Sequence, residues 1–129
     1  MDPEKVNYHY CDDLPTRPLQ EGTRVLVTGA AGYVAHRLIP ELVARGYIVR
    51  CMYRNRNCPP LLTHPRIEYV YADCHSKEEL LSTLKDVDYA YYLIHSMRSK
   101  REEFNEKDKK AAENFREVAE YHEIKQIVY

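Results

Sequence analysis

Short apolar runs alternate with segments of helical periodicity from residue 24 to the end of the chain. A short unbroken apolar run is typical of a strand buried on both faces, and apolar residues three and four apart are typical of a helix packed along one side. The pattern predicts five strands, at 25–27, 48–53, 67–72, 87–94 and 127–129. It predicts three helices between them, at 33–45, directly after Ser76, and at 102–121.

The ends of these helices carry recognisable signals. Gly46 closes the first helix at the position where a left-handed residue is favoured, whereas Pro40 lies inside it and should bend the helix or open its first turns. The segments 76–79 and 99–102 have the serine and glutamate spacing of capping boxes for the second and third helices. The expected apolar sides of these two helices are Leu80, Leu81 and Leu84, and Phe104, Ala111, Ala112, Phe115, Val118 and Ala119.

The alternation of strands and helices indicates right-handed crossovers and a parallel sheet covered on both faces. We therefore predict an α/β, doubly wound domain over residues 23–129. It is incomplete at its C-terminal end, because the chain stops inside the fifth strand. Residues 1–22 contain three prolines, several acids and no periodicity, and are predicted to form an extended N-terminal arm.

Composition and charge narrow the classes of protein. A hydrophobic share of 44% and a charged share of 30% are globular values, which argue against disorder and coiled coils. A net charge of −1 gives no bulk attraction to nucleic acid or to an anionic membrane. Residues 23–66, however, hold seven arginines, one acid and no lysine. This local surplus indicates either an anion site or simply exposed arginines.

Targeting and metal-binding signals are missing from the sequence. No apolar run approaches the roughly 18 residues of a membrane helix, and the acidic, polar start does not resemble a signal peptide. The four cysteines form no CxxC pair, so reduced cytosolic thiols are expected. Histidines and cysteines lack the spacing of metal ligands. We expect a cytoplasmic protein with no metal, no membrane and no nucleic acid as a partner.

A glycine loop follows the first predicted strand and opens the first predicted helix. In this context Gly29 permits a tight turn, Gly32 lets the backbone approach a pyrophosphate, and Ala35 allows the helix to pack closely on the strand. Free N–H groups at the helix start then favour an anion; the alternative is a purely structural turn. The candidate contacts in this segment are Thr28, Gly29, Ala31, Gly32, Tyr33 and Val34.

The segment VLVTGAAGYVAHRLIPEL resembles the opening of the extended and atypical short-chain dehydrogenases/reductases, whose loop is TGxxGxx[GA]. Further matches lie at 91–97, at Asp108, at 111–112, at 114–115 and at 127–129. Together they resemble a nucleotide-sugar-epimerase-like, NmrA-like subgroup of NAD(P)H-binding proteins. The resemblance implies a Rossmann fold with strand order 3-2-1-4-5 and a dinucleotide cofactor.

The end of the second strand bears on the choice of cofactor. An NAD-selective site places an acid there to accept from the ribose 2′-hydroxyl, whereas this chain has CMYRNR and no acid. An arginine can pair with a 2′-phosphate and stack on adenine, and the resemblance places Arg54 at that phosphate. NADP(H) is therefore favoured over NAD(H), with Arg56 either a second phosphate contact or an exposed loop charge.

The ends of the third and fourth strands supply the remaining candidates. By resemblance, Asp73 lies near the adenine amino group with the backbone of Cys74 beside it, although Asp73 could equally be a turn residue ahead of the second helix. The backbone of the segment Leu93, Ile94, His95 and Ser96 would run beside the nicotinamide ribose, at the edge where cofactor and substrate meet. His95 is either a proton carrier or, more commonly, a hydrogen-bonded wall residue.

The catalytic residues of the family are not found. By resemblance they would be a serine or threonine after the fifth strand and a Tyr-x-x-x-Lys on the following helix, and the chain ends before either. Tyr121 and Lys125 have the correct spacing, but they span the end of a helix and the approach to a strand. They would not share one helical face, so we do not expect them to be catalytic, and the catalytic residues stay unknown.

Two functions fit the sequence. The first is the NADP(H)-binding module of an oxidoreductase or epimerase that acts on an unknown small molecule; the second is a non-enzymatic NAD(P)H-sensing regulator or scaffold. A nucleic-acid binder has only the arginine-rich middle in its favour. The chain is either a fragment or a natural short form. In both cases an exposed fifth strand favours aggregation or pairing into a homodimer, with the 102–121 helix as a candidate contact.

Overall fold

The structure, a computed structural model, describes residues 19–60, 62–94 and 101–129, and of residues 101–105 only the backbone. In this part of the chain five parallel strands form one sheet in the order β3-β2-β1-β4-β5, and three helices connect them. The predicted fold class and strand order are confirmed. The elements are β1 Arg24–Val27, α1 Tyr33–Ala44, β2 Ile48–Tyr53, β3 Ile67–Tyr71, α2 Lys77–Thr83, β4 Tyr89–Tyr91, α3 Arg101–Tyr121 and β5 Gln126–Val128.

The first strand lies at the centre of the sheet, between β2 and β4. The chain therefore winds outward in one direction through β2 and β3, and then crosses back to continue through β4 and β5. This reversal creates a crevice at the carboxyl ends of β1 and β4, where open parallel sheets bind their ligands.

Two apolar cores cover the two faces of the sheet. Val25, Val27 and the alternate residues of β2 pack with Ile39 of α1 on one face. Leu26 and Met52 point to the other face, where α2 and α3 contribute Leu80, Leu84, Phe115 and Val118. Burial of each large apolar side chain contributes about 1.5–3 kcal/mol. Because both faces are covered, the strands lack the alternation of polar and apolar residues seen in half-exposed sheets.

The boundaries of β2 agree with the prediction, whereas β4 is shorter than predicted. Its ladder ends at Tyr91, paired with Val27 of β1 and Val128 of β5. The apolar run continues, but the next backbone N–H on that side, from Leu93, donates to the Thr28 hydroxyl rather than to a strand. The first helix ends at Ala44, one residue before the predicted end, and runs without a break through Pro40, which is buried. Of the two effects expected of Pro40, the opening of the first turns is therefore wrong.

The second helix begins at its predicted serine, whose hydroxyl accepts from the N–H of Glu79. Leu80 and Leu84 are fully buried, but Leu81 is 41% exposed, so its place in the apolar face was wrong. Leu81 lies about 100° around the helix from Leu80 and reaches only the rim of the core. In α3, Ala111, Phe115, Val118 and Ala119 are buried and Ala112 is half-buried. The predicted capping box at 99–102 and the Phe104 side chain lie outside the described residues.

Most of the predicted arm also lies outside the described residues. Its last four residues contact the domain: the N–H of Leu19 donates to the Tyr47 hydroxyl at 2.8 Å, and the N–H of Gly22 donates to the carbonyl of Gly46 at 3.0 Å. None of the described helices combines the length and apolar character needed to span a membrane.

Candidate functional site

Thr28, the residue after β1, ties the end of that strand to the end of β4. Its backbone N–H and its hydroxyl both donate to the carbonyl of Tyr91, at 3.0 and 3.1 Å, and the hydroxyl accepts from the N–H of Leu93 at 2.8 Å. The side chain is completely buried. Thr28 therefore lies beneath the crevice and holds its two sides together, rather than facing into it.

The glycine loop that follows is shaped by close backbone contacts. Gly29 has a φ of +61°, and a Cβ at this position would lie 2.9 Å from the carbonyl oxygen of Leu93. The N–H of Gly32 donates to the carbonyl of Gly29 at 2.9 Å and closes the turn. At Gly32 a Cβ would lie 3.2 Å from that same carbonyl oxygen. Glycine at both positions therefore allows backbone segments to approach more closely than a side chain would permit.

The start of α1 is suited to an anion. Gly32 supplies no side-chain cap, and the first turn of the helix contains no acidic residue. The first N–H groups of a helix lack intrahelical partners and lie at the positive end of its dipole. Tyr33 and Val34 are 74% and 56% exposed, so this turn is open to solvent. A phosphate could therefore be held by backbone donors alone.

A cleft of about 430 Å³ runs along the carboxyl edge of the sheet from the glycine loop to β3. It brings together most of the residues predicted for the site, which are Gly29, Ala31, Gly32, Arg54, Asp73, Cys74, Leu93 and Ile94. A second cleft of about 400 Å³ shares Arg54 and Asp73 with the first and adds Arg56. Thr28 lies below the first cleft and Tyr33 and Val34 lie at the start of α1, while His95 and Ser96 lie outside the described residues.

The two arginines after β2 meet carboxylates from the β3–α2 region. Arg54 Nε lies 3.7 Å from Asp73 Oδ2, with 76% of the Arg54 side chain exposed. Arg56 Nη2 lies 2.8 Å from Glu79 Oε1. No acid follows β2 directly, so the acids reach the two arginines only through the fold. This end of the cleft is a cluster of exposed, mutually paired charges.

Asp73 is held by several hydrogen bonds. Burial alone would raise the pKa of its carboxyl group, but the backbone N–H and ring of His75 and the charge of Arg54 outweigh it and hold that pKa below its ordinary value of 3.8. His75 Nδ1 lies 3.0 Å from Asp73 Oδ1, and Nε2 lies 3.3 Å from the carbonyl oxygen of Lys107. Each ring nitrogen lies within hydrogen-bonding distance of an oxygen, so His75 links α3 to the site.

Cys74 of the β3–α2 turn and Ala111 of α3 form an apolar wall in the first cleft, which the charged Lys107 of α3 also lines. Burial raises the pKa of the Cys74 thiol to about 12, so the thiol is protonated at neutral pH. Asn114 donates to the Cys74 carbonyl at 2.9 Å and fixes this turn against α3. The Asn114 amide oxygen is buried and has no partner among the described residues. A flat apolar group could lie on this wall with its polar edge towards Asp73.

Sequence reasoning missed part of the site. The further residues of the two clefts are Ala30, Met52, Tyr53, Asn55, Cys58, Ala72, His75, Ser76, Glu79, Lys107, Asp108 and Ala111. Asp108 and Ala111 belonged to the resembling segments and could have been included. Glu79 was assigned only to a capping box, and its carboxylate instead accepts from Asp73 N–H and pairs with Arg56. His75 carries no signal in the sequence.

The Tyr121 and Lys125 pair lies at the opposite edge of the sheet from the clefts. Tyr121 is the last residue of α3 and is 74% exposed. The N–H of Lys125 donates to the carbonyl of Asp88, just before β4 begins. The carboxyl ends of the strands, where the clefts lie, are one strand length away. Among the described residues, no group of histidines, cysteines and acids could hold a metal ion.

Comparison with known proteins agrees with this geometry. A family model described as NAD(P)H-binding matches residues 29–129. A 3-beta-hydroxysteroid dehydrogenase of Mycolicibacterium neoaurum is 33% identical over 69 residues, which are 54% of this chain and 18% of that protein.

Solved structures share the fold. UDP-N-acetylglucosamine 4-epimerase from Bacillus cereus aligns with a TM-score of 0.70 at 23% identity, over 84% of this chain and 39% of that one. The Bordetella bronchiseptica enzyme WbmH, solved with NAD+, aligns with a TM-score of 0.73 at 17% identity, over 84% and 38%. This chain therefore spans less than two-fifths of the length of these relatives.

Proposed function

This chain belongs to the NAD(P)H-binding family, and on that premise we propose that it is the NADP(H)-binding module of an oxidoreductase or epimerase related to the short-chain dehydrogenases/reductases. It is an NAD(P)H-binding Rossmann domain similar to those of dehydrogenases and epimerases. The observation that carries the finer proposal is the charge at the end of β2. Two arginines stand where an NAD-selective site has an acid.

The glycine loop would bind the pyrophosphate. The tight turn that Gly29 and Gly32 permit places the start of α1 at the cleft, and the uncapped first turn of this helix supplies backbone donors. Ala31, Tyr33 and Val34 complete this contact in the proposal, and Thr28 supports it from below. Both NAD(H) and NADP(H) contain a pyrophosphate, so this part of the site would not distinguish them.

The 2′-phosphate would be recognised by Arg54, with Arg56 beside it. Guanidinium groups form paired, charge-assisted hydrogen bonds with phosphate. Arg54 lines both clefts and is largely exposed, so its side chain has room to turn from Asp73 to a phosphate. Asp73 and the backbone of Cys74 would then take the adenine ring at the apolar wall.

The nicotinamide half would lie at the end of β4. Leu93 and Ile94 line the cleft there, and the proposal extends this contact to His95 and Ser96. A bound nicotinamide supplies hydride chemistry, and the protein supplies its orientation. The small-molecule substrate, and the pairing of two copies through α3, belong to the same proposal for the whole protein.

A calorimetric titration with NADPH, NADH and 2′-phospho-AMP tests the proposal. We expect NADPH and 2′-phospho-AMP to bind clearly more tightly than NADH. Arg54→Ala should weaken binding of the two phosphorylated ligands by about tenfold or more, because a charge-assisted hydrogen bond is lost, and should leave NADH within about twofold. Arg116→Ala removes an exposed arginine on α3 that lines neither cleft, and serves as the matched control.

Three outcomes contradict this proposal in different ways. Equal affinity for NADPH and NADH would remove the preference for NADP(H). An unchanged preference in Arg54→Ala would assign it to other residues. A folded chain that binds none of the three ligands would mean that this chain alone does not form the cofactor site.

A further inference from the structure

The carboxylate of Glu79 lies inside the cleft that would take the 2′-phosphate. We propose that Glu79 is a specificity-determining residue: its fixed negative charge neutralises Arg56 and holds down the preference for 2′-phosphorylated cofactors. The inference rests on the proposed function, because it concerns the same arginine-lined cleft. It assigns opposite effects to neighbouring residues, with Arg54 favouring NADP(H) and Glu79 opposing it.

Both carboxylate oxygens of Glu79 are engaged. Oε1 accepts from Arg56 Nη2 at 2.8 Å, and Oε2 accepts from the N–H of Asp73 at 2.9 Å. The N–H of Glu79 donates to the Ser76 hydroxyl at 3.2 Å, which also fixes the backbone. A side chain held at both oxygens and at its own N–H cannot swing away freely. Its charge therefore stays beside Arg56 when a ligand arrives.

A 2′-phosphate near Arg56 would meet this carboxylate at close range. A phosphate monoester carries nearly two negative charges at neutral pH. It would either share the Arg56 guanidinium with Glu79 or displace Glu79 and leave the N–H of Asp73 without its acceptor. Either route opposes binding of the phosphate, whereas a ribose 2′-hydroxyl carries no charge and meets no such repulsion.

Arg54 is held less tightly by its carboxylate partner than Arg56 is. Its contact with Asp73 is longer, at 3.7 Å, and its side chain is more exposed than that of Arg56. Exposed ion pairs of this kind are weak, so Arg54 is more easily released to a ligand. The two arginines should therefore contribute unequally, with Arg56 largely neutralised in advance.

Glu78 offers a matched control on the same helix. Both glutamates lie in the first turn of α2 and so have similar interactions with the helix dipole. Glu78 is exposed and lines neither cleft. Glu78→Gln and Glu79→Gln remove the same charge from the same helix, and only the second removes it from beside Arg56.

The test is a calorimetric titration of the full chain and its variants with 2′-phospho-AMP, AMP, NADPH and NADH. Glu79→Gln keeps an amide oxygen that can accept from Asp73 N–H, and we expect it to bind 2′-phospho-AMP and NADPH about three- to tenfold more tightly. AMP and NADH should stay within about twofold. Glu78→Gln should leave all four affinities within about twofold.

A second measurement begins with a variant that leaves Glu79 unchanged, so its first result does not depend on Glu79→Gln being folded. Arg56→Ala in the otherwise unchanged chain should lower the affinity for 2′-phospho-AMP by less than about threefold, because Glu79 already neutralises the charge of Arg56. In the Glu79→Gln background the same substitution should remove the gain. This coupling between residues 56 and 79 would not arise if Glu79 acted only on the stability of the turn.

The inference is overturned if Glu79→Gln binds phosphorylated ligands no better than the unchanged chain does. It is also overturned if Glu79→Gln raises the affinity for NADH as much as that for NADPH. A third contrary result is an Arg56→Ala variant that loses as much affinity for 2′-phospho-AMP as Arg54→Ala does. When the unchanged chain prefers NADPH and these results are found, only the role of Glu79 fails. When the chain shows no preference for 2′-phosphorylated ligands, the proposed choice of cofactor fails as well.

Discussion

Backbone groups form one end of the cleft, and exposed charged side chains form the other. At the glycine loop, the backbone of two strand ends and one buried hydroxyl set the shape, and Thr28 is completely buried. At the arginine end, exposed side chains set the charge, and 76% of Arg54 is accessible. The glycine end therefore depends on the backbone of the fold, whereas the arginine end depends on surface side chains.

This difference separates affinity from selectivity. Changes at the glycine loop should lower stability and weaken the binding of NADPH and NADH together, because in the proposed function the loop binds the pyrophosphate that both contain. Changes at the arginine end should alter the ratio of the two affinities with little cost in stability, because surface ion pairs contribute about 1 kcal/mol or less. The Arg54 and Glu79 titrations examine the second end, and substitutions at four further positions examine the contrast itself.

Gly29→Ala should have the largest effect. The residue has a left-handed φ, which costs a side-chain-bearing residue about 1–2 kcal/mol. Its Cβ would also press against the Leu93 carbonyl at 2.9 Å, and such overpacking costs about 1–3 kcal/mol. We expect the free energy of unfolding in urea to fall by about 2–5 kcal/mol. The affinities for NADPH and NADH should fall equally, by about tenfold or more.

The Gly22→Ala variant measures the cost of a left-handed backbone without a steric clash. Gly22 also has a left-handed φ, of +85°, but a Cβ there meets nothing within 4 Å. It should lose about 1 kcal/mol of stability and keep its affinity for both cofactors. If the two variants behaved alike, the close approach of the loop to β4 would not matter, and the contrast between the ends of the cleft would weaken.

The glycine end could be read from the sequence because its signals are local. Residues 25–45 contain an apolar run, two glycines and a helical period. These features predict a strand, a tight turn and a helix. The bounds of β2 followed from the same kind of signal. Where a boundary depended on a partner, the prediction failed: the apolar run of β4 extends further than the strands beside it, so its last residues leave the ladder.

The arginine end could be read only in part. The absence of an acid after β2 was visible, but the acids that reach Arg54 and Arg56 lie 19 and 23 positions further along the chain. Glu79 fitted a local capping rule, and only the packing of the β2 loop on the β3–α2 turn gives its carboxylate another partner. His75 links this turn to α3, a contact between elements far apart in sequence. Exposed ion pairs follow from tertiary placement, which no local pattern specifies.

Thr28→Val should have an intermediate effect. Valine keeps the shape of the side chain but removes the hydroxyl, so the N–H of Leu93 loses its acceptor at the base of the cleft. An unsatisfied buried N–H costs about 1–3 kcal/mol, and we expect a loss of stability in that range. Thr28→Ser keeps the hydroxyl and should lose about 1 kcal/mol for the missing methyl group. A valine variant as stable as the serine variant would show that this bond does not hold the strand ends together.

The smallest effect is expected at the exposed end, from Asp73. Since its folded pKa is lowered, its ionised form stabilises the fold above the unfolded pKa of about 3.9, and this contribution is lost as the pH falls through the lower folded pKa. Asp73→Asn should therefore be less stable than the unchanged chain at pH 7, by about 1 kcal/mol or less because the side chain is partly exposed.

Urea titrations of both proteins between pH 7 and pH 2 measure this difference, and the contributions of the other carboxyl groups cancel between them. The gap should be constant down to about pH 5 and should close below it. It should also shrink in high salt, because exposed charges are screened. A gap that persisted unchanged at the lowest pH would mean that Asp73 stabilises the turn through its shape rather than its charge. The arginine end would then resemble the glycine end more closely than the present contrast allows.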